Sequence, residues 1–297
     1  MKTRPKLGAD IEFFIYNGKL VTADKILKPK RERITSTGYA FFDGVQAEIN
    51  PDASFYIYHF VDNIRKCLIF VSVKYPNGLF SVSPSVSVDS SILEGCQEQC
   101  FNLQCNELNV YSGEKSVYPD GHTFMKRFAG GHVHIGYNGL KYQDLMTEYK
   151  VKVLVKVLDS VLGVMSVAFS HSKAEMERRK MYGRAGMYWL QIHGLEYRTL
   201  SAYWMASPVL SAIILGIARD CFTIALYDEG FLQNFNEKEV VGIINNNDCK
   251  KAKKIYQEIT RPYFLKKSVD NIGLISDLVE HGYEAVFERK NILEYWL

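Results

Sequence analysis

Four short stretches of this 297-residue chain place polar, chemically active side chains two residues apart inside otherwise apolar runs. Asp10 and Glu12 flank Ile11; Glu48 and Asn50 flank Ile49; His132 and His134 flank Val133; Glu196 and Arg198 flank Tyr197. In an extended strand, residues i and i+2 share a face while i+1 points the other way. Each stretch therefore reads as a strand with one face in a core and the other presenting carboxylates, imidazoles or a guanidinium. An ordinary half-exposed sheet would carry such a face too, but it would favour Thr, Lys, Ser and Gln. Here the residues are Asp, Glu, His and Arg, with Gly8, Gly44, Gly130, Gly131, Gly136 and Gly194 beside them.

The intervening sequence supports a sheet backed by helices. Residues 10–16 read as a strand turned at Asn17-Gly18 into KLVTA, and 41–49 as a strand closed by Asn50-Pro51. Helical stretches are expected at about 54–74, 142–170 and 206–227, and residues 79–88 alternate but are broken by Pro84. The fold class that follows is α+β, a largely antiparallel sheet with helices on one side. Residues 1–235 are expected to form the catalytic unit, and 236–297 a helical extension packed on it.

Composition narrows the function classes. With 36 basic and 33 acidic residues the formal net charge is +3, which argues for neither nucleic acid nor a membrane surface as partner. The first residues lack an apolar run of signal-peptide length, and the apolar run from Pro208 to Ala218 is too short to span a bilayer. Six dispersed cysteines, with Cys96, Cys100 and Cys105 lacking CxxC spacing, read as reduced thiols and a cytoplasmic setting. The basic run KPKRER at 28–33 reads as a solvated loop or, in the alternative, as a contact with ATP or an acidic substrate.

Hard divalent cations prefer carboxylate oxygens, and an added imidazole also suits Mn²⁺. Asp10, Glu12, Glu48 and Glu196 supply up to four carboxylates, and His132 or His134 can complete a site. That is more negative charge than one ion needs, so two ions or an ion–phosphate assembly are expected. Arg178, Arg179 and Arg184 lie just before Glu196 and Arg198, and guanidinium groups grip phosphate as planar forks. One of Arg178 and Arg179 is expected on a solvated helix face. Arg184, between the glycines of YGRAG, suits an anion-binding loop. The set fits phosphoryl transfer from ATP with Mg²⁺ or Mn²⁺, and neither GxxxxGK[ST] nor a strand-associated GxGxxG is present.

At these residues the chain resembles the COOH.NH2 ligase type 2 amidoligases of the glutamine synthetase and glutamate–cysteine ligase superfamily. The resemblance rests on GADIEFF (8–14), DGVQAEINP (43–51), RFAGGHVHIGY (127–137) and RRKMYGRAG through HGLEYRTLSAYW (178–204). It implies a curved antiparallel sheet forming an open channel and amide formation from a carboxylate and an amine through an acyl phosphate. Substrates could be small molecules, peptides or protein termini. It further implies that Glu12 and Glu48 share one ion, and that Asp10, His132 and Glu196 share the ion on the ATP phosphates. Arg184 and Arg198 would hold phosphate or the acyl phosphate, with Arg179 a further phosphate contact and His134 orienting substrate. Glu48, Arg184 and Arg198 are the candidate catalytic residues. Tyr188-Trp189 stands where such proteins often carry an arginine, and ILKPKRER where a glycine motif with lysine is usual. Three other readings stay open: a phosphotransferase on the same fold, a metal hydrolase, and a non-catalytic, virion-associated protein that keeps the fold.

Overall fold

Alternation in the first long strand sets the architecture. Leu7, Ala9, Ile11, Phe13 and Ile15 are buried on one face, while Gly8, Asp10 and Glu12 occupy the other. The computed structural model describes residues 4–29, 31–34, 37–94, 108–113, 125–137, 143–170, 172–265, 272–287 and 290–297. Its strands are β1 (Lys6–Asn17), β2 (Lys19–Val21), β3 (Glu32–Ile34), β4 (Gly38–Asp43), β5 (Gln46–Pro51), β6 (Leu79–Ser81), β7 (Ser85–Ser87), β8 (Leu108–Asn109), β9 (Lys126–Phe128), β10 (Gly131–Gly136), β11 (Met187–Gln191) and β12 (Gly194–Tyr197). Among the described residues, ten of them form one antiparallel sheet in the order β3-β4-β5-β1-β10-β12-β11-β8, with β2 and β6 paired to the far half of β1. β7 and β9 pair separately.

The principal helices are α1 (Ile57–Lys74), α2 (Glu148–Leu158), α3 (Val164–Phe169), α4 (Lys173–Met181), α5 (Pro208–Tyr227), α6 (Glu237–Asn246), α7 (Cys249–Ile255) and α8 (Ile272–His281). α1, α2 and α5 cover the apolar face of the sheet, where Ile11, Ile49, Val133, Ile135 and Leu195 are fully buried. The fold class is the α+β arrangement anticipated, a large antiparallel sheet backed by helices. α5 is long and apolar enough to cross a membrane, with a mean hydropathy of 1.9, and two thirds of it is buried against the protein. The run from Pro208 to Ala218 is thus only the first half of a longer helix.

Two segments differ from the sequence reading in ways that matter. The single strand expected over 41–49 is a hairpin, β4 turning into β5 at Gly44, which adopts φ +60°. Asp43-Gly44 is a turn dipeptide, and Gly takes positive φ without Cβ strain. The helix expected over 142–170 is interrupted by a π-helical turn at Asp159–Gly163, between α2 and α3. Such turns insert a residue and redirect side chains. Here Asp159 is directed into the sheet, where its Oδ1 accepts from Tyr197 Oη (2.6 Å) and Thr199 Oγ1 (3.3 Å).

The C-terminal helices pack on the helix layer. α6 and α7 lie against α3, and α8 also packs there. Trp296 is buried and its indole N–H donates to the Met205 carbonyl (2.9 Å).

Candidate active site

Strand register aligns the four polar pairs into one surface. Asp10 lies opposite His132, His134 opposite Gly8 on one side and Glu196 on the other, and Glu12 opposite Glu48. Directly opposed residues share a face. Asp10, Glu12, Glu48, Asn50, His132, His134 and Glu196 therefore converge on the side of the sheet away from α1, α2 and α5.

They form two groups. Glu12, Glu48 and Asp43 bring one carboxylate oxygen each within 4.8 Å of one another, and Asp10, His134 and Glu196 do the same with their ligand atoms. Asn50 ties the groups together, its amide donating to Asp10 Oδ1 (2.5 Å) and Glu48 Oε1 (3.0 Å). Asp43 belongs to the first group because the β4–β5 turn returns it over Glu48. Its only sequence signal was Asp-Gly, which reads first as a turn.

The two groups differ electrostatically. Burial, with the Asp43 charge adding to it, pushes the Glu12 carboxyl up to about 8, although the Gly130 N–H donates to its Oε2 (2.7 Å). Burial, and after it the charges of Asp10, Glu12 and Asp43, raises Glu48 well above the carboxylate range. Burial works the same way on Glu196, but Arg198 and the two imidazoles outweigh it and hold Glu196 well below its ordinary value. Asp10 is likewise lowered, since the charge and hydrogen bonding of His134 overcome burial. In the Glu12–Glu48 group burial and the neighbouring carboxylates prevail over the lowering influence of Arg198 and Arg178 on Glu12.

His132 touches the second group through Glu196. Its Nε2 is 2.7 Å from Tyr182 Oη, and its Nδ1 is 3.3 Å from Glu196 Oε1. Arg198 donates to the same Tyr182 oxygen (2.8 Å) and to Glu196. Tyr182 already accepts from the guanidinium, so its own proton goes to His132 Nε2. His132 Nδ1–H then faces Glu196, fixing a neutral tautomer. Burial, and then the charge of Arg198, lowers its pKa in keeping with that state. His134, expected to orient substrate, is the imidazole whose ligand atom lies with those of Asp10 and Glu196. Its Nε2 is 3.3 Å from Asp10 Oδ2 and 3.9 Å from Glu196 Oε2. Gly130 makes the His132 position possible, because a Cβ there would come within 2.2 Å of the imidazole.

The arginines divide as the sequence did not foresee. Arg198 is at the site. Arg178 and Arg179 are both fully buried, so neither lies on a solvated face. Arg178 donates to the carbonyls of Thr199 (3.0 Å) and Leu200 (2.8 Å). Arg179 pairs with Glu175 (2.9 Å) and donates to Ser166 Oγ (2.7 Å), a structural role that removes it from the phosphate contacts. Glu175, three and four residues earlier on α4, is the sequence signal for this internal pairing. Arg184 is exposed and donates to the Lys180 carbonyl (2.6 Å), outside the two groups. Tyr182 was missed because one tyrosine in a loop has no periodicity to mark it. On β11, Tyr188 opposes Tyr197 in the core layer and Trp189 opposes Glu196, so an indole stands on the site face. Gln191 donates to Glu196 Oε2 (2.7 Å). The trio Cys96, Cys100 and Cys105 lies outside the described residues.

The family model for phage phiEco32-like COOH.NH2 ligase-type 2 matches residues 109–267, more than half of the chain. The chain belongs to that family. The matched span carries His132, His134, Tyr182, Glu196 and Arg198, whereas Asp10, Glu12, Asp43 and Glu48 precede it and are tied to it through β1–β10 pairing. The match also runs past residue 236, so the first tail helices, α6 and α7, lie within it rather than beyond it. No curated relative matches the chain. Family membership makes this a ligase-type enzyme, one that joins a carboxyl group to an amine.

Proposed function

We propose that this COOH.NH2 ligase is ATP-dependent and works with two divalent cations, through an acyl phosphate. One observation carries the reading: two acidic groups stand side by side on one sheet face, bridged by Asn50, with Arg198 fixed at the edge of the second. The donor sets fit the ions. Glu12, Glu48 and Asp43 offer only oxygens, the preference of Mg²⁺, and Asp10, His134 and Glu196 add an imidazole that Mn²⁺ also accepts. Burial and mutual repulsion raise the carboxyls of Glu12 and Glu48, an effect that a bound cation would relieve. Divalent ions held there would neutralise the phosphate charge that develops during transfer.

The chain's own residues do the rest. Arg198 is held by Glu196 and Tyr182, so its fork is oriented before substrate arrives, which is the condition for stabilising a transferring phosphoryl group. Tyr182 and His132 lock that orientation from behind. A substrate carboxylate oxygen forms the new O–P bond as ADP departs with the old one. The amine nitrogen then bonds to the acyl carbon, loses a proton, and inorganic phosphate leaves. Trp189 on the site face and the exposed Arg184 shift the phosphate grip onto Arg198.

The test is hydroxamate formation. The full chain is incubated with ATP, Mg²⁺, a panel of amino acids, peptides and other carboxylic acids, and hydroxylamine as a generic amine. ADP and hydroxamate in equal amounts support the ligase mechanism. ADP with a stable phosphorylated product and no hydroxamate identifies a phosphotransferase, and hydroxamate without ADP removes the nucleotide from the reaction.

A further inference from the structure

The segment that carries Glu196 and Arg198 is held from behind as well as from the site. Strand alternation turns Tyr197 and Thr199 the other way, into the layer beneath the helices. There both hydroxyls meet one carboxylate. Tyr197 Oη donates to Asp159 Oδ1 (2.6 Å), and Thr199 Oγ1 shares its one proton between that oxygen (3.3 Å) and the Arg184 carbonyl (2.9 Å). Asp159, Tyr197 and Thr199 are all fully buried. The backbone of the same segment is also fixed: the Arg198 N–H donates to the Met187 carbonyl (3.0 Å), and Arg178 donates to the next two carbonyls.

The helix is broken where this carboxylate enters. Asp159 opens the π-helical turn Asp159–Gly163, and such turns recur at functional sites. Gly163 closes the turn at a point where a Cβ would lie 3.0 Å from Tyr197 Oη and 3.4 Å from Asp159 Oδ1. An ionisable group is costly here, next to the fully buried Leu158, Val161 and Leu162, and an apolar side chain would pack without that desolvation. Burial raises the Asp159 carboxyl to about 6, while hydrogen bonding from Tyr197, Tyr111, the Gly186 N–H and Thr199 opposes the rise, so near neutral pH it is an acceptor. One acceptor that reaches the residues on both sides of Arg198 fixes the roll of that segment about its own axis. We propose that Asp159 is a positioning residue for the reaction, setting from behind the sheet the direction in which Arg198 faces the site. This assignment rests on the phosphoryl-transfer role given to Arg198 above.

The experiment compares Asp159→Leu, Asp159→Asn and Tyr197→Phe with the parent, each alone and combined with Arg198→Lys, in the full chain. Rates of ADP release and KM for ATP are measured below the lowest melting temperature of the set. The arginine Nε–H resonances of the free proteins are recorded by NMR, Arg198 being assigned by its loss from Arg198→Lys. Asp159→Leu and Tyr197→Phe lower kcat by about 10–10²-fold, the effect of a misplaced group, with KM for ATP little changed. Asp159→Asn, which keeps an oxygen for Tyr197, loses less. Each loss shrinks to about threefold or below in the Arg198→Lys background, because it acts through that side chain. The Arg198 resonance shifts in the single variants. Equal losses in both backgrounds, or an unshifted Arg198 resonance, overturn the inference and leave Asp159 a packing residue. Should Asp159→Leu not fold, Tyr197→Phe and Asp159→Asn decide by the same two readouts. A parent that releases no ADP overturns the ATP-dependent reading, and the resonance comparison then decides by itself whether Asp159 orients Arg198.

Discussion

Replacing Glu12 by Gln should stabilise the cation-free protein while abolishing its response to Mg²⁺. Glu12 is buried beside Glu48 and Asp43, and its carboxyl is raised from 4.5 to about 8. An acid whose folded pKa is raised binds more protons folded than unfolded. Its stability contribution is greatest below the unfolded value and is lost as pH rises from 4.5 through about 8. At pH near 7.5 the loss integrates to on the order of 4 kcal/mol, at about 1.4 kcal/mol per pKa unit. Glutamine keeps the shape, its carbonyl oxygen can still accept from Gly130 N–H, and it never ionises. Part of the gain is offset by reorienting its amide, leaving about 2–4 kcal/mol, or a melting point higher by about 4–8 °C for a chain of this size. The assay is thermal unfolding of parent and variant in chelator across about pH 5 to pH 8.5, then with Mg²⁺ added. The gap between them should widen with pH in chelator, and Mg²⁺ should raise only the parent. A variant no more stable than the parent at about pH 8 in chelator, or equal Mg²⁺ stabilisation of both, would refute the argument that this cluster is built for a cation.

Further outcomes follow from the same geometry. Arg198→Lys should lower ADP release by about 10²–10³ with little change in melting temperature, because lysine keeps the charge but loses the fork shared between Glu196 and Tyr182; a rate loss matched by a lost fold would make Arg198 structural. Arg179→Met should cost about 3–5 kcal/mol of stability, read from urea unfolding, with nucleotide affinity of the folded protein retained, since Arg179 serves Glu175 and Ser166. Asp159 is raised from 3.8 to about 6 by burial, so it should subtract stability as pH climbs through that window; Asp159→Asn should flatten that slope, and an unaltered slope would place the titration elsewhere. Gly130→Ala should displace the His132 ring, detectable as altered imidazole shifts by NMR, and slow turnover.

The site face was legible because strand periodicity leaves little choice: once 8–14 is a strand, Asp10 and Glu12 must share a side. The same logic could not rank His132 against His134, which lie on one face by construction. Their division follows from Tyr182 reaching one ring and Asp10 the other, contacts between residues far apart in sequence. Asp43 was hidden by the turn it occupies, and the burial of both Arg178 and Arg179 by the expectation that one of them faces water. Burial of those arginines depends on Glu175 and on the carbonyls of Thr199 and Leu200, which no local pattern announces. Gly44 breaking 41–49 into a hairpin was written plainly as Asp-Gly, but the apolar run around it dominated the reading.

The clamp of Arg178 on Thr199 and Leu200 also governs how this enzyme moves. Those carbonyls immediately follow Arg198, and Tyr182 immediately follows α4, the helix that carries Arg178. Helix, tyrosine and arginine are thus bolted into one rigid piece, joined at both ends to the strand that bears Glu196. The Arg198 fork, proposed above to hold phosphate, cannot swing away alone. Any displacement of that fork therefore requires a tilt of α4 as a whole, carrying its buried ion pairs with it.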